Sequence, residues 1–319
     1  MTALLFALVG MAGLVALFLS TGIAPVFQAV ATAGWAGVAL LAAWQLALTL
    51  PLALSWRTVA PGVALREIFW ARLVREAAGA CLPFTAVGGM VIGARVLAAR
   101  TGIGWARAGA STAADVTLEF VAQIAFVIGG TALLLCRQPH SPLAWPLVIA
   151  ILLSALAAAF TFAAQGRAVR ALVARIGLPQ LAGTDDGNGL AAALDRVYAV
   201  PSRLAVGAAL HLLGWIGSGL ATWGAFHLLG APVDLGAALA IEALLSFARA
   251  CAFFVPAGLG VQEAVYVGLA GLYGVAAPVG LGVSLLRRGR ELAIGLPVIL
   301  AWQAGELSRA LPTRTAVER

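Results

Sequence analysis

The chain has 319 residues, of which 62% are hydrophobic and 10% are charged, and its mean hydropathy is +1.00. A soluble domain carries about a quarter of its residues as charges, so this composition excludes a globule whose surface is solvated by water. The net charge of +7 comes from arginines that lie between apolar runs, which indicates cytoplasmic loops rather than a nucleic-acid surface.

Long unbroken apolar runs predict membrane-spanning helices, because a membrane barrel would show short alternating segments instead. Residues 2–20 form the first run, and they lack the basic start and the cleavage site of a removed signal. Residues 34–56 form the second run, which ends at Trp56 and Arg57, a pair typical of a membrane interface. Residues 57–76 then predict an amphipathic helix on the cytoplasmic surface.

The next apolar stretch, residues 77–94, is interrupted by Pro83, Gly88 and Gly89. Both of its flanks are rich in arginine and should remain in the cytoplasm. A crossing would place one flank on the opposite side, whereas a re-entrant hairpin enters and leaves on the same side. We therefore predict a broken, re-entrant segment whose backbone is buried in protein or lines a cavity.

Later apolar runs predict further spans at 113–136, 143–165, 204–229 and 235–255. Between the second and third of these lies a polar, arginine-rich stretch, residues 166–203, which is predicted to be cytoplasmic. The last apolar region, residues 278–304, has charges in its middle, and the sequence leaves open whether it crosses once or is broken. We predict an all-α, polytopic membrane protein with about six to eight transmembrane helices. One membrane domain would cover residues 1–306, followed by a short polar tail, residues 307–319.

A second interruption follows Pro256, with Gly258 and Gly260 a few residues later. The arginine-rich surroundings again favour a re-entrant course. Broken segments at corresponding places in two halves indicate an inverted repeat and a transporter-like binding site, where buried arginines and carboxylates share a polar pocket. The alternative is that proline and glycine are simply common in membrane helices.

Asp115 and Glu119 are four residues apart, so they share one helix face near the cytoplasmic end of a span. Two neighbouring carboxylates repel each other unless a cation or a proton joins them. The nearest candidate cations are Arg95, Arg100 and Arg107. The alternative is a helix N-terminus capped by Ser111 or Thr112, where the helix dipole favours carboxylates.

A second group of ionisable and amide side chains surrounds the second break. Its members are Glu242, Arg249, Gln262, Glu263, Arg287, Arg288, Arg290 and Glu291. The spacing predicts that residues 242 and 249 share a helix face and that residues 287 and 291 form an ion pair. One interpretation is a set of ion pairs that hold broken helices in place. The other, compatible with the first, is a polar cavity for an anionic or zwitterionic lipid headgroup, to which helix N-termini add N–H donors.

Motifs for other chemistry are not found in the sequence. The three histidines and three cysteines show no metal-ligand spacing, so no metal or cofactor is expected. The sequence contains no Walker motif for ATP and no G-x-S-x-G or H-E-x-x-H motif for hydrolysis, so the chain is not expected to be an enzyme.

Several segments resemble a known family. VPAGLGVQEAVYVGLAGLYGV (255–275) and SLLRRGRELAIGLPVILAWQ (284–303) resemble the C-terminal signature of the lysylphosphatidylglycerol synthase transmembrane-region family. Together with LPFTAVGGMVIGARVLAARTG (82–102) and ASTAADVTLEFVAQIAF (110–126), these segments are most similar to its hopanoid-biosynthesis-associated branch (HpnL).

The resemblance implies a flippase-like domain that handles or translocates a lipid headgroup across the bacterial inner membrane, in this branch with a role tied to hopanoids. The expected partner is a membrane lipid, either a hopanoid or an anionic phospholipid, and not nucleic acid. A soluble aminoacyltransferase domain is not expected. The alternatives are a membrane-embedded lipid-modifying transferase and a non-catalytic scaffold for lipid synthesis. The chain departs from the family pattern at Ala257, where glycine is usual, and at Met90, where many relatives carry glutamate.

Overall fold

The computed structural model describes residues 23–81, 86–138, 189–252 and 258–310, with a few single positions between them. Several predictions fall wholly or almost wholly outside these residues: the spans at 2–20 and 143–165, Pro83, Pro256 and most of the polar tail. The polar stretch 166–203 is described only from residue 189 onward.

The described residues form helices and no strands, which confirms the all-α class for this part of the chain. In chain order the helices are α1 (Ile23–Val59), α2 (Leu65–Cys81), α3 (Ala86–Thr101), α4 (Trp105–Arg137), α5 (Leu190–Tyr198), α6 (Pro201–Leu228), α7 (Leu235–Cys251), α8 (Val261–Leu272) and α9 (Ala277–Ala310).

Three of these helices are long and apolar enough to cross a membrane. They are Val30–Val59 within α1, the whole of α4 and the whole of α6. They correspond to the predicted spans 34–56, 113–136 and 204–229. Large apolar side chains such as Trp35 and Ile128 are exposed on these helices, as expected of surfaces that contact lipid. The total number of crossings stays a prediction.

Helices α1 and α6 approach closely at small residues. A Cβ atom at Gly214 would lie 2.6 Å from Leu52, and one at Gly217 would lie 2.3 Å from Leu48. The indole Nε1 of Trp44 donates to the carbonyl oxygen of Gly217 at 2.9 Å. Helices in lipid associate through such close packing and interhelical hydrogen bonds, because burial from water does not drive them together.

Helix α2 is not the surface helix that the sequence predicts, because Ile68, Arg72 and Arg75 are all buried. The side chain of Trp56 is fully buried, and its Nε1 donates to Oγ of Ser111 at 3.3 Å, so it packs inside the protein; its position at the membrane interface stays a prediction. The charged face of α2 turns inward because carboxylates on a neighbouring helix compensate the cost of burying its arginines.

The first break separates α2 from α3, and the two helices pack against each other. A Cβ atom at Gly89 would lie 2.7 Å from the carbonyl oxygen of Arg75, and one at Gly93 would lie 2.9 Å from Cβ of Arg75. The predicted break residue Gly88 is half-buried beside them. The glycines of α3 are therefore required by the close approach of α2.

The second break lies between α7 and α8. Gly258 and Gly260 have φ angles of +59° and +78°, a left-handed conformation that glycine adopts without steric cost. Helix α8 has 12 residues, about 18 Å of helix, and is too short for a hydrocarbon core of about 30 Å. Helix α9 is one helix of 34 residues with Pro297 inside it, so the last apolar region is continuous. The re-entrant course at both breaks stays a prediction.

Helix α9 connects the two halves of the chain. A Cβ atom at Gly295 would lie 2.3 Å from Sγ of Cys81, the last residue of α2. Ala77, Ala78 and Ile299 form a small buried cluster at the same contact. The helix that follows the second break thus lies directly against the helix that precedes the first.

Candidate functional site

A cluster of buried charges joins α2, α4 and α6, and we call it the first network. Its members are Arg72, Arg75, Asp115, Glu119 and His211. Arg72 donates from Nη1 to Asp115 at 2.9 Å and from Nη2 to Glu119 at 3.1 Å. Arg75 donates to the same two carboxylates at 2.7 and 2.5 Å. The i, i+3 spacing on α2 and the i, i+4 spacing on α4 bring the four groups face to face.

The remaining carboxylate oxygen of the first network is Oδ1 of Asp115, which lies 2.9 Å from Nε2 of His211. Both of these side chains are fully buried. At the rim, Glu76 accepts a hydrogen bond from Nε of Arg72 at 2.6 Å. Buried ions are tolerated when they are paired and hydrogen-bonded, so the first network holds α2 against α4 and α6.

The predicted pairing of the two carboxylates with cations is confirmed, but Arg95 and Arg107 are not the partners. The side chain of Arg95 is 59% exposed and donates to Glu306 at 3.3 Å. Arg107 donates to the carbonyl oxygen of Pro61 at 2.7 Å. Both guanidinium groups lie on the outside of the bundle, whereas the arginines of α2 point into it.

Arg100, the third expected partner, pairs with Glu67 in the first turn of α2 at 2.5 Å. This hydrogen bond is the main reason why the pKa of Glu67 lies below its usual value of 4.5, and the neighbouring charge of Arg66 lowers the pKa further. The pair fastens α3 to the start of α2 and does not contribute to the first network.

The alternative of a helix N-terminus at the two carboxylates is wrong. Helix α4 begins at Trp105, about three turns before Asp115. The hydroxyls of Ser111 and Thr112 donate to the carbonyl oxygen of Ala108, within the helix. The acidic side chains are therefore mid-helix charges that depend on the arginines of α2.

The ligand atoms of Asp115, Glu119 and His211 lie within 4.8 Å of one another, a spacing that would suit a metal ion. However, two guanidinium groups already bind these carboxylates and would repel a cation. The donor set therefore fits an ion-pair network better than a metal centre.

The polar side chains around α7, α8 and α9 form what we call the second network. Its members are Ser218, Thr222, Glu242, Arg249, Gln262, Glu263, Tyr266, Ser284, Arg287, Arg288, Arg290 and Glu291. At its centre, Oε1 of Glu242 accepts from Ser218 and from Nη1 of Arg287, both at 2.6 Å. Oε2 accepts from Thr222 at 2.7 Å and from Tyr266 at 3.2 Å. Four donors thus stabilise this fully buried carboxylate.

Glu263 organises the start of α8. Its Oε2 accepts from the backbone N–H of Gly260 at 2.9 Å, and its Oε1 accepts from Ser284 at 2.8 Å and Arg288 at 2.7 Å. Gln262, also buried, donates from Nε2 to Oγ of Ser284 at 2.8 Å. These bonds cap the short helix and tie the residues after the second break to α9.

Glu291 connects α9 to the end of α7. It accepts from Nε of Arg287 at 3.3 Å, which confirms the predicted i, i+4 pair. Its other cation is Arg249 at 3.7 Å, whose Nη1 also lies 3.4 Å from Oε1 of Gln262. These contacts are long, and the side chain of Arg249 is 34% exposed. This edge of the second network is therefore its most loosely held part.

Arg290 differs from the other arginines of the second network. The residue is only 5% exposed, and its Nε has no hydrogen-bond partner in the described part of the chain. Among the described residues, the second network contains four arginines and three glutamates, so its net charge is one positive charge. Such a surplus is costly in a buried position unless an anion compensates it.

The buried charges of the described residues thus form two networks rather than one shared pocket. His211 and Ser218 are about two turns apart on α6, which separates the networks by roughly 10 Å along the helix. Trp215 lies between them, donates to the carbonyl oxygen of Glu119 at 3.3 Å and stacks on Phe126. Among the predicted residues that the structure describes, Arg95 lies apart from both networks and both breaks, as do the other two candidate cations, Arg100 and Arg107.

Sequence reasoning missed several polar residues of the two networks, namely the buried Arg72, Arg75, His211, Thr222, Tyr266 and Ser284 and the half-buried Ser218. A signal was present for the two arginines, because their spacing places them on the helix face that also carries the apolar Ile68. The hydroxyl groups gave no such signal, since single serines and threonines are common in apolar helices.

Comparison with known proteins identifies a family for this chain. No curated protein and no solved structure matches the chain significantly. Residues 2–299 match the family described as Lysylphosphatidylglycerol synthase TM region, which covers both networks and both breaks. The chain therefore belongs to the lysylphosphatidylglycerol synthase TM region family.

Proposed function

We propose that this protein is a flippase-like membrane protein that moves the polar headgroup of a lipid across the bacterial inner membrane. Membership of a lipid-related membrane family and three apolar helices of spanning length support this proposal. The observation that carries it is the second network, an arginine-rich cluster enclosed by apolar helices. A charge inside the membrane costs about 2.5–3.5 kcal/mol on insertion scales and usually marks a site.

The second network offers a path for a headgroup beside the second break. Helix α8 is too short to span, and Arg249 at the end of α7 is held only by long contacts. A headgroup can therefore exchange with these weak partners while its acyl chains stay in lipid. The first network, in which every carboxylate oxygen is bound, serves to hold the helices of the first half together.

The transported lipid belongs to one of two classes, hopanoids or anionic phospholipids. The resemblance of residues 255–275 and 284–303 to the hopanoid-associated branch favours a protein that works beside hopanoid synthesis. The buried arginine surplus favours a headgroup with negative charge.

Reconstitution into vesicles tests the proposal. Fluorescently labelled phosphatidylglycerol or a labelled hopanoid is placed in both leaflets, and a membrane-impermeant quencher reports the fraction that reaches the outer leaflet. We expect faster exchange than in empty vesicles, and Glu242→Gln should slow it because Arg287 loses the nearer of its two carboxylate partners. Glu306→Gln, which disrupts a partly exposed pair with Arg95, is the matched control.

The proposal would be contradicted if neither labelled lipid moved between the leaflets faster in vesicles with the protein than in empty vesicles. Lipid analysis of a deletion strain separates the alternatives, because loss of a chemical species would indicate a transferase. A scaffold would tolerate Glu242→Gln provided that the variant folds.

A further inference from the structure

His211 is a fully buried histidine that uses one of its two ring nitrogens. Its Nε2 lies 2.9 Å from Oδ1 of Asp115, and its Nδ1 has no hydrogen-bond partner among the residues that the structure describes. An ionised carboxylate only accepts hydrogen bonds, so Nε2 carries the hydrogen atom of this contact. In the neutral ring the lone pair then lies on Nδ1, which is a proton acceptor that no described group uses.

Glu119 connects this buried pair with the exposed edge of the first network. Its side chain is 25% exposed, whereas those of Asp115 and His211 are fully buried. One oxygen of each carboxylate and one ring nitrogen of His211 lie within 4.8 Å of one another. A single water molecule bridges groups at such a separation, because each of its hydrogen bonds spans about 2.8 Å. This spacing provides a route for protons to the buried pair that does not use an arginine, which does not release its proton.

The first network and Glu76 at its rim carry an unmatched negative charge. Their two arginines face three carboxylates, those of Glu76, Asp115 and Glu119. With a neutral His211 the net charge is therefore one negative charge, and a proton on the imidazole makes it zero. Because an uncompensated charge is costly in a buried position, one proton completes the charge balance of this cluster.

Charges on the other helices packed against α6 are exposed or belong to the second network. Helix α1 carries one charged residue, Arg57, which is exposed. The charges of α7 and those in the middle of α9 form the second network, roughly 10 Å away along α6. The charged groups that face His211 are therefore those of α2 and α4.

We propose that His211 and Asp115 form a proton-binding site, and that one proton moves with or against each lipid headgroup, an inference that rests on the proposed function and names its coupled ion. In this step Nδ1 of the imidazole takes up a proton from water near Glu119, while the N–H of Nε2 stays bonded to Asp115. The ring gains one proton and one positive charge, and no other bond changes. Histidine is suited to this role because its ordinary change of charge falls between about pH 5 and 8.

Helix α6 connects the proton-binding site with the second network. About two turns after His211 it carries Ser218 and, one turn later, Thr222, and both hydroxyls donate to Glu242. A positive charge on His211 attracts the carboxylate of Asp115 on α4 more strongly and so changes the forces that act on α6. The helix that responds to the proton is thus also a helix that holds the central carboxylate of the second network.

The first experiment measures the proton on His211 directly. The chain has three histidines, so the full-length protein with His140→Gln and His227→Gln retains His211 alone. Isotope-labelled histidine in this protein is followed by solid-state NMR in lipid vesicles, where the nitrogen shifts distinguish a ring with one N–H from a ring with two. We expect a change from one to two as the pH is lowered from about 8 to about 5. A ring that keeps the same number of N–H groups over this range would overturn the proposal.

The second experiment tests the coupling of the proton to lipid movement. Vesicles with the protein and a labelled lipid that exchanges at equal pH are given a pH difference of about one unit, and the quencher reports the ratio of the lipid between the leaflets. If one proton accompanies each lipid, the ratio should shift by up to about tenfold, because one pH unit is a tenfold ratio of protons. The direction of the shift shows whether proton and lipid move together or in opposite directions.

His211→Gln should abolish this shift, because its amide does not titrate but still has an N–H group for Asp115. The matched control is His227→Gln, which should keep the shift, since His227 is an exposed histidine of the same helix whose Nδ1 lies 2.9 Å from the carbonyl oxygen of Trp223. An unshifted ratio in the wild type, or equal shifts in the wild type and His211→Gln, would overturn the coupling. If His211→Gln does not fold, the NMR titration and the shift in the wild type, which leave His211 intact, still decide the proposal.

Failure of this inference and failure of the proposed function give different results. Lipid exchange whose leaflet ratio does not depend on the pH difference would refute the coupling and leave the flippase proposal standing. A ring that takes up its proton in a protein that exchanges neither lipid would support the proton-binding site and refute the flippase proposal, and with it the coupling.

Discussion

Replacement of Asp115 by asparagine tests whether the first network holds the fold. Asp115 accepts hydrogen bonds from Arg72 at 2.9 Å and Arg75 at 2.7 Å, and it lies 2.9 Å from His211. Asp115→Asn keeps the shape of the side chain but removes its charge and turns an NH2 group towards other donors. Removing one partner of a buried ion pair costs about 3–5 kcal/mol.

We expect the lower end of that range, about 3 kcal/mol, because Glu119 still binds both arginines. Reversible unfolding by denaturant in mixed micelles, followed by circular dichroism, measures the free energy of unfolding. Combining Asp115→Asn with Arg75→Gln completes a double-mutant cycle, in which residues in direct contact should couple by about 0.5–3 kcal/mol.

Glu306→Gln is the matched control, because it removes an acidic partner from a pair in which the side chain of Arg95 is 59% exposed. Such a pair contributes about 1 kcal/mol or less. If Asp115→Asn were no more destabilising than Glu306→Gln, or if the cycle showed no coupling, the first network would not be holding the helices together.

Three further predictions concern other contacts. Gly295→Val should lower the temperature of thermal unfolding, because its Cβ would lie 2.3 Å from Sγ of Cys81. Adding Cys81→Ala to this variant should restore part of the lost unfolding temperature. Glu67 has a lowered pKa, so its pair with Arg100 should contribute stability above about pH 4.5 that disappears as the pH falls through the lowered pKa. In Glu67→Gln the free energy of unfolding should therefore depend less on pH in the acid range. An unchanged dependence would show that the pair of Glu67 with Arg100 does not contribute to stability. Tyr266→Phe should cost about 1 kcal/mol in denaturant unfolding, because its hydroxyl bonds to a buried glutamate at 3.2 Å, and a neutral effect would show that the hydroxyl adds nothing.

The sequence was sufficient to predict contacts that depend on local spacing. Apolar length predicted the spans in α1, α4 and α6, because a helix needs about 20 apolar residues to cross. Helical periodicity predicted the pair between Arg287 and Glu291 and the shared face of Asp115 and Glu119.

Contacts between distant segments could not be predicted in the same way. Counting arginines assigns both Arg75 and Arg95 to the cytoplasmic side, so the rule does not distinguish an outward-facing Arg95 from an inward-facing Arg75. Arg75 and Asp115 are 40 residues apart, and only the packing of α2 on α4 brings them together. For the same reason the sequence predicted one polar pocket where the structure has two networks, because their separation depends on the course of α6 and on Trp215, which lies between them.

The contact of Gly295 with Cys81 limits how the two halves can move. Because a Cβ atom at Gly295 would lie 2.3 Å from Sγ of Cys81, the helices α2 and α9 are in close contact at this point. Rocking of one half against the other would therefore pivot here, with the smallest displacement at this point and the largest at the far ends of α2 and α9. A bulky thiol reagent on Cys81 should therefore separate α2 from α9 at this contact and should limit such rocking without a direct contact to either charged cluster.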